Sequence, residues 1–68
     1  MTQHADIPVL LRRKQVEAMT TLSRSRIYVL MKIGEFPAPV RLGSQSVAWL
    51  RSDIEAWINQ RIKASRSI

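Results

Sequence analysis

None of the 68 residues is a cysteine, and this absence constrains the fold more than any residue that is present. A chain this short sits near the lower size limit for a self-supporting core and has room for one domain only. Disulfides and thiolate-bound zinc, the usual staples of small domains, are closed to it. The single histidine, His4, lies in a polar terminal stretch and makes no metal site by itself. Apolar packing must therefore carry the fold. Hydrophobic residues make up 46% of the chain, the share of a globular protein rather than of a disordered tail.

Charge narrows the partners. Eleven Lys and Arg against five Asp and Glu give a formal charge of +6, which favours a polyanion. No apolar run approaches the about 20 residues of a membrane span, and the start MTQHADIPVL lacks the basic and apolar stretches of a secretory leader. The expected location is the cytoplasm, in association with the nucleoid.

The pattern of apolar residues and breakers predicts three helices and one hairpin. Residues 1–9 read as a flexible tail, 10–64 as the folded domain and 65–68 as a frayed end. A first helix starts near Arg13, with Val16 and Met19 on its apolar face. Thr20, Thr21, Leu22 and Ser23 interrupt it, since Thr and Ser bond their own backbone readily, and Ser23 suits an N-cap. A second helix spans about 24–33, with Ile27, Leu30 and Met31 buried and Gly34 as its stop.

The stretch EFPAP cannot be helical. Val40, Arg41 and Leu42 then alternate apolar and polar, Gly43, Ser44 and Gln45 make a turn, and Ser46 to Leu50 returns with Val47 and Trp49 on one side. Ser52, Asp53, Ile54 and Glu55 read as a capping box that opens a third helix, with Ile54, Trp57, Ile58 and Ile62 on its apolar face. The expected fold class is mainly α with a small β-hairpin, a winged helix-turn-helix of three helices and a two-stranded wing.

That order matters because the major groove of DNA admits one helix while a flanking hairpin reaches the backbone or minor groove. Rotating by 100° per residue puts Ser25, Val29 and Lys32 opposite the buried stripe of the second helix, with Arg24 and Tyr28 on one shoulder and Arg26 on the other. Ser23, Arg24, Ser25 and Arg26 form an N-terminal turn suited to phosphate. The candidate DNA-binding residues are Ser23, Arg24, Ser25, Arg26, Tyr28, Val29 and Lys32 on the helix, and Arg41, Ser44 and Gln45 on the wing, with Ser46 a lesser candidate. Tyr28 also suits covering the edge of the core. Trp49 and Trp57 lie at core period, which favours packing over base stacking. No nucleophile and base, no paired carboxylates and no glycine-rich phosphate loop occur, so catalysis, cofactors and metals are not expected.

The runs TTLSRSRIY, GEFPAPVRLGSQSVAW and SDIEAWI, in this order, strongly resemble the AlpA family of phage and prophage regulators, over about Leu11 to Ile62. The resemblance implies a MerR-like or excisionase-like winged fold, sequence-specific DNA binding, and activation of a prophage integrase gene or a direct role in excision. Ser23, Arg24, Ser25 and Tyr28 match the family's recognition-helix start. Gly34, Phe36, Pro37 and Pro39 match the bend into the wing, and Trp49 matches its buried tryptophan. Thr21 stands where the family usually has a turn glycine, Arg26 where threonine is common, Val29 where arginine is common and Gln45 where the wing tip usually carries arginine.

The leading expectation is a transcriptional regulator of prophage genes whose partner is double-stranded DNA, with an integrase or RNA polymerase as candidate protein partners. An excisionase of the same fold is one alternative. A module that inhibits a protein partner without touching DNA is the other. With no heptad helix, a monomer or a cooperative assembly on repeated sites is expected rather than a coiled-coil dimer.

Overall fold

The computed structural model describes residues 7–67; His4 and most of the expected N-terminal tail lie outside the described residues. The chain runs β1 (Leu10–Leu11), α1 (Arg13–Thr20), α2 (Arg24–Lys32), β2 (Val40–Gly43), β3 (Ser46–Leu50) and α3 (Arg51–Arg66). This is a mainly helical fold with a β wing, as the sequence predicts, with an added short strand. β1 pairs antiparallel with the outer side of β3, Leu10 opposite Leu50 and Leu11 opposite Trp49, so that β3 is the centre of a three-stranded sheet. A two-residue strand has no periodicity by which sequence could show it.

Both ends of α2 follow from local chemistry. The Ser23 hydroxyl oxygen accepts the Arg26 backbone N–H at 3.1 Å, satisfying one of the helix's orphan donors. At the other end Gly34 takes a φ of 77°. Its N–H donates to the Met31 carbonyl at 3.1 Å, and the Glu35 N–H donates to the Leu30 carbonyl at 2.8 Å. Those two bonds close the helix as a Schellman motif, for which a residue without Cβ is the natural choice.

The turn between α1 and α2 is less comfortable. Thr21 adopts a φ of 63° and ψ of 12°, a left-handed conformation in which a β-branched side chain is crowded. Its N–H closes α1 on the Glu17 carbonyl at 2.8 Å. Thr20 supports the turn from both sides, its hydroxyl donating to the Val16 carbonyl at 2.8 Å and accepting the Leu22 N–H at 3.2 Å. Replacing Thr21 by glycine should raise the melting temperature. Relief of about 1–2 kcal/mol of strain exceeds the about 0.4–1 kcal/mol of unfolded-state freedom that glycine adds, and about 1 kcal/mol moves the midpoint of a domain this size by about 4–8 °C. A Thr21→Gly chain that melts at or below the parent temperature would show that the turn stores no strain.

Some local expectations from the sequence need correction. The capping box does not form, because α3 starts two residues earlier, with Leu50 as N-cap and no side-chain cap. β3 stays paired to β1 through Leu50, and the Arg51 N–H donates to the Val9 carbonyl at 2.8 Å. The first helical donor is thus met by the neighbouring strand, and Ser52 lies inside the first turn. Leu42, which continues the apolar–polar alternation of Val40 and Arg41 in the sequence, is 47% exposed. The β2–β3 register slips between Arg41 and Gly43, a bulge that turns Leu42 out of the alternation. Gly43 pairs with Ser46, and the turn itself is Ser44–Gln45.

The core is Leu11, Val16, Ile27, Leu30, Phe36, Trp49 and Ile54, with Met19, Leu22, Met31, Val47, Trp57 and Ile58 packed against it. Every helix and the central strand contribute. Trp49 is fully buried, and its indole N–H donates to the Pro37 carbonyl at 3.1 Å. Trp57 meets Phe36 edge-on at 4.9 Å and donates to the Glu35 carbonyl at 2.9 Å, holding the EFPAP segment against α3. Ile62, expected on the buried face of α3, is 44% exposed, as the helix continues beyond the core to Arg66.

Candidate nucleic-acid interface

Burial of Ile27 and Leu30 fixes the rotation of α2 about its axis. Arg24, Ser25, Arg26, Tyr28, Val29 and Lys32 are consequently all exposed. Ser23, also exposed, has its oxygen committed to the cap, while its hydroxyl hydrogen remains free to donate. The Arg24 guanidinium lies 5.9 Å from the centre of the Tyr28 ring, so these two share one shoulder of the helix. On the hairpin, Arg41, Ser44 and Gln45 are exposed and Ser46 is partly covered. Beyond the cap residue Ser23, the helix candidates thus occupy the side of α2 turned away from the core, with Arg24 and Tyr28 on one flank and Arg26 on the other, and the three wing candidates lie at and next to the hairpin turn.

The charged side chains among these candidates are all cationic. From Ala18 to Ser52 the only acidic residue is Glu35, against five Lys and Arg. The ion pairs among the described residues are Arg13–Glu17 at 2.5 Å, Arg51–Glu55 at 3.1 Å and Arg61–Glu35 at 3.8 Å. All involve α1 or α3. Within the described residues, Arg24, Arg26, Lys32 and Arg41 have no carboxylate within salt-bridge distance.

The first turn of α2 is the sharpest case. It carries Arg24 and Arg26 and no acid, although the positive end of a helix dipole favours carboxylates by about 0.3–1 kcal/mol each. Two cations there work against helix stability unless an anion joins them. Ser23 and the unbonded N–H groups of the first turn offer donors at the helix end, and Arg24 and Arg26 add a cation on either flank of it.

Sequence reading passes over Arg12. Its guanidinium Nη1 donates to the Ser46 hydroxyl oxygen at 3.1 Å, joining the start of α1 to the hairpin across 34 positions. No local pattern announces a contact of that range. Among the described residues there is no cluster of three or more His, Asp or Glu that could hold a metal, and no helix is long and apolar enough to cross a membrane.

Residues 9–62 match the family described as prophage CP4-57 regulatory protein (AlpA). The chain is also 50% identical over 52 residues to the uncharacterized protein ORF88 of Enterobacteria phage P4, covering 76% of this chain and 59% of that relative. It therefore spans less than two thirds of that relative's length. No solved structure matches. With the family match running from before β1 into the last turns of α3, the chain belongs to the AlpA family of prophage regulatory proteins.

Proposed function

We propose that this chain binds duplex DNA at specific sequences and thereby regulates prophage genes, such as that of an integrase. In this reading residues 10–64 are the binding unit. α2 enters the major groove, and the β2–β3 hairpin rests on the adjoining backbone or minor groove. The observation that carries the reading is the unpaired cationic first turn of α2, beside an exposed face that combines hydrogen-bonding and apolar side chains.

Each candidate has a role set by its chemistry. Arg24 and Arg26 hold phosphates or a guanine edge, Ser23 and Tyr28 donate to phosphate, Ser25 and Lys32 read base edges, and Val29 packs on a thymine methyl. Arg41, Ser44 and Gln45 hold the wing to the backbone. The protein acts by occupancy rather than by catalysis, in the cytoplasm, as a monomer or as copies assembled on repeated sites. Integrase and RNA polymerase are the protein partners such a role calls for.

Selection from a random pool of duplexes tests this proposal. The purified chain should enrich one short motif, and Lys32→Ala should flatten the preference at one or two of its positions while costing about 1–3 kcal/mol. Failure to enrich any motif at moderate salt would refute sequence-specific binding.

A further inference from the structure

The proposed DNA surface has two parts, the α2 face and the hairpin turn, and one cation stands where α1 meets the hairpin. Arg12 is exposed and immediately precedes α1. Its Nη1 reaches the Ser46 hydroxyl at 3.1 Å, and Ser46 directly follows the Ser44–Gln45 turn. The next arginine, Arg13, is engaged with Glu17 at 2.5 Å, whereas within the described residues no carboxylate lies within ion-pair distance of Arg12. One of its five N–H donors is used and the others are open.

We propose that Arg12 is a phosphate-binding residue that couples the helix-turn-helix to the wing, with Ser46 positioning its guanidinium. The proposal rests on the DNA-binding reading above. Ser46 serves Arg12 in two ways. The bond holds a long, flexible side chain along the hairpin, so less rotamer freedom is lost on binding. It also leaves the planar fork with a fixed side for a phosphate oxygen pair, which a lysine head could not reproduce. A strand seated on the hairpin turn then meets a cation one residue from its Ser44–Gln45 contacts, so wing and helix motif grip the same backbone.

The test compares the parent chain with Arg12→Ala, Arg12→Lys and Ser46→Ala on a selected duplex, by affinity as a function of salt and by thermal melting. A parent chain that does not bind, or binds with no salt dependence, refutes DNA binding itself and this inference with it. Given parent binding, Arg12→Ala should lower affinity by about tenfold and reduce the magnitude of the log–log salt slope by about 1. Base preference and melting temperature should stay unchanged. Arg12→Lys should keep the slope but recover only part of the affinity, and Ser46→Ala should weaken binding a few-fold with the slope intact. An Arg12→Ala chain with parental slope overturns the proposal, whether its affinity is unchanged or falls together with the melting temperature; the latter would assign the Arg12–Ser46 bond a structural role only.

Discussion

A chain carrying Arg24→Glu and Arg26→Glu should lose at least about 100-fold in DNA affinity while melting at or above the parent temperature. Two arginines that contact phosphate or guanine are worth about 1–3 kcal/mol each, and about 1.4 kcal/mol is a tenfold change. The reversed charges add repulsion from the same phosphates. Stability should move the other way. The first turn of α2 carries no acid, so two glutamates there meet the helix dipole with favourable sign, by about 0.3–1 kcal/mol each. Glutamate at position 26 also completes a capping box with Ser23, whose hydroxyl oxygen already accepts the N–H of that residue. A more stable protein that no longer binds separates function from folding. Binding retained to within a few-fold would place the DNA contact elsewhere on the molecule.

Trp49→Ala should leave the chain largely unfolded at room temperature. Trp49 is wholly buried at the centre of the only sheet among the described residues, in the cluster that joins α1, α2, α3 and the Phe36 segment. Removing a large buried aromatic side chain costs about 3–5 kcal/mol. A core in a chain of fewer than about 70–80 residues rarely supplies more than about 3–5 kcal/mol in total. The loss also strips the Pro37 carbonyl of its indole donor, and with no cysteine in the sequence no disulfide offsets it. Trp57 is only partly buried, so Trp57→Ala should weaken the fold and leave it cooperative. Circular dichroism with urea titration distinguishes the outcomes, and a native-like, cooperative Trp49→Ala transition would contradict this description of the core.

Much of this fold was legible because its signals are local. Ser23 and Gly34 bracket α2, and the spacing of Ile27 and Leu30 fixes which way its other side chains point, so the exposed positions of Ser25, Val29 and Lys32 could be read from helical geometry alone. What escaped depends on segments far apart in the chain. β1 exists only because β3 offers it an edge, and that pairing lets α3 begin without the Ser52 cap. The bulge that exposes Leu42 is a property of two strands together. Thr21 stands where the family usually has a turn glycine, which suggests a positive φ there. A threonine whose side chain caps the turn would not need one, so its left-handed conformation is settled only by the folded turn. In the candidate interface the same division holds, with the α2 residues evident from periodicity and Arg12 visible only once Ser46 is brought beside it.

The central claim is that an unpaired cationic surface on α2 and the hairpin engages the phosphate backbone of duplex DNA. Measuring affinity for one selected duplex across a range of salt concentrations tests it most directly. If the surface neutralises about four to six phosphates, log affinity falls with log salt at a slope of about −4 to −5. A flat line, or binding that disappears without such a dependence, would contradict it.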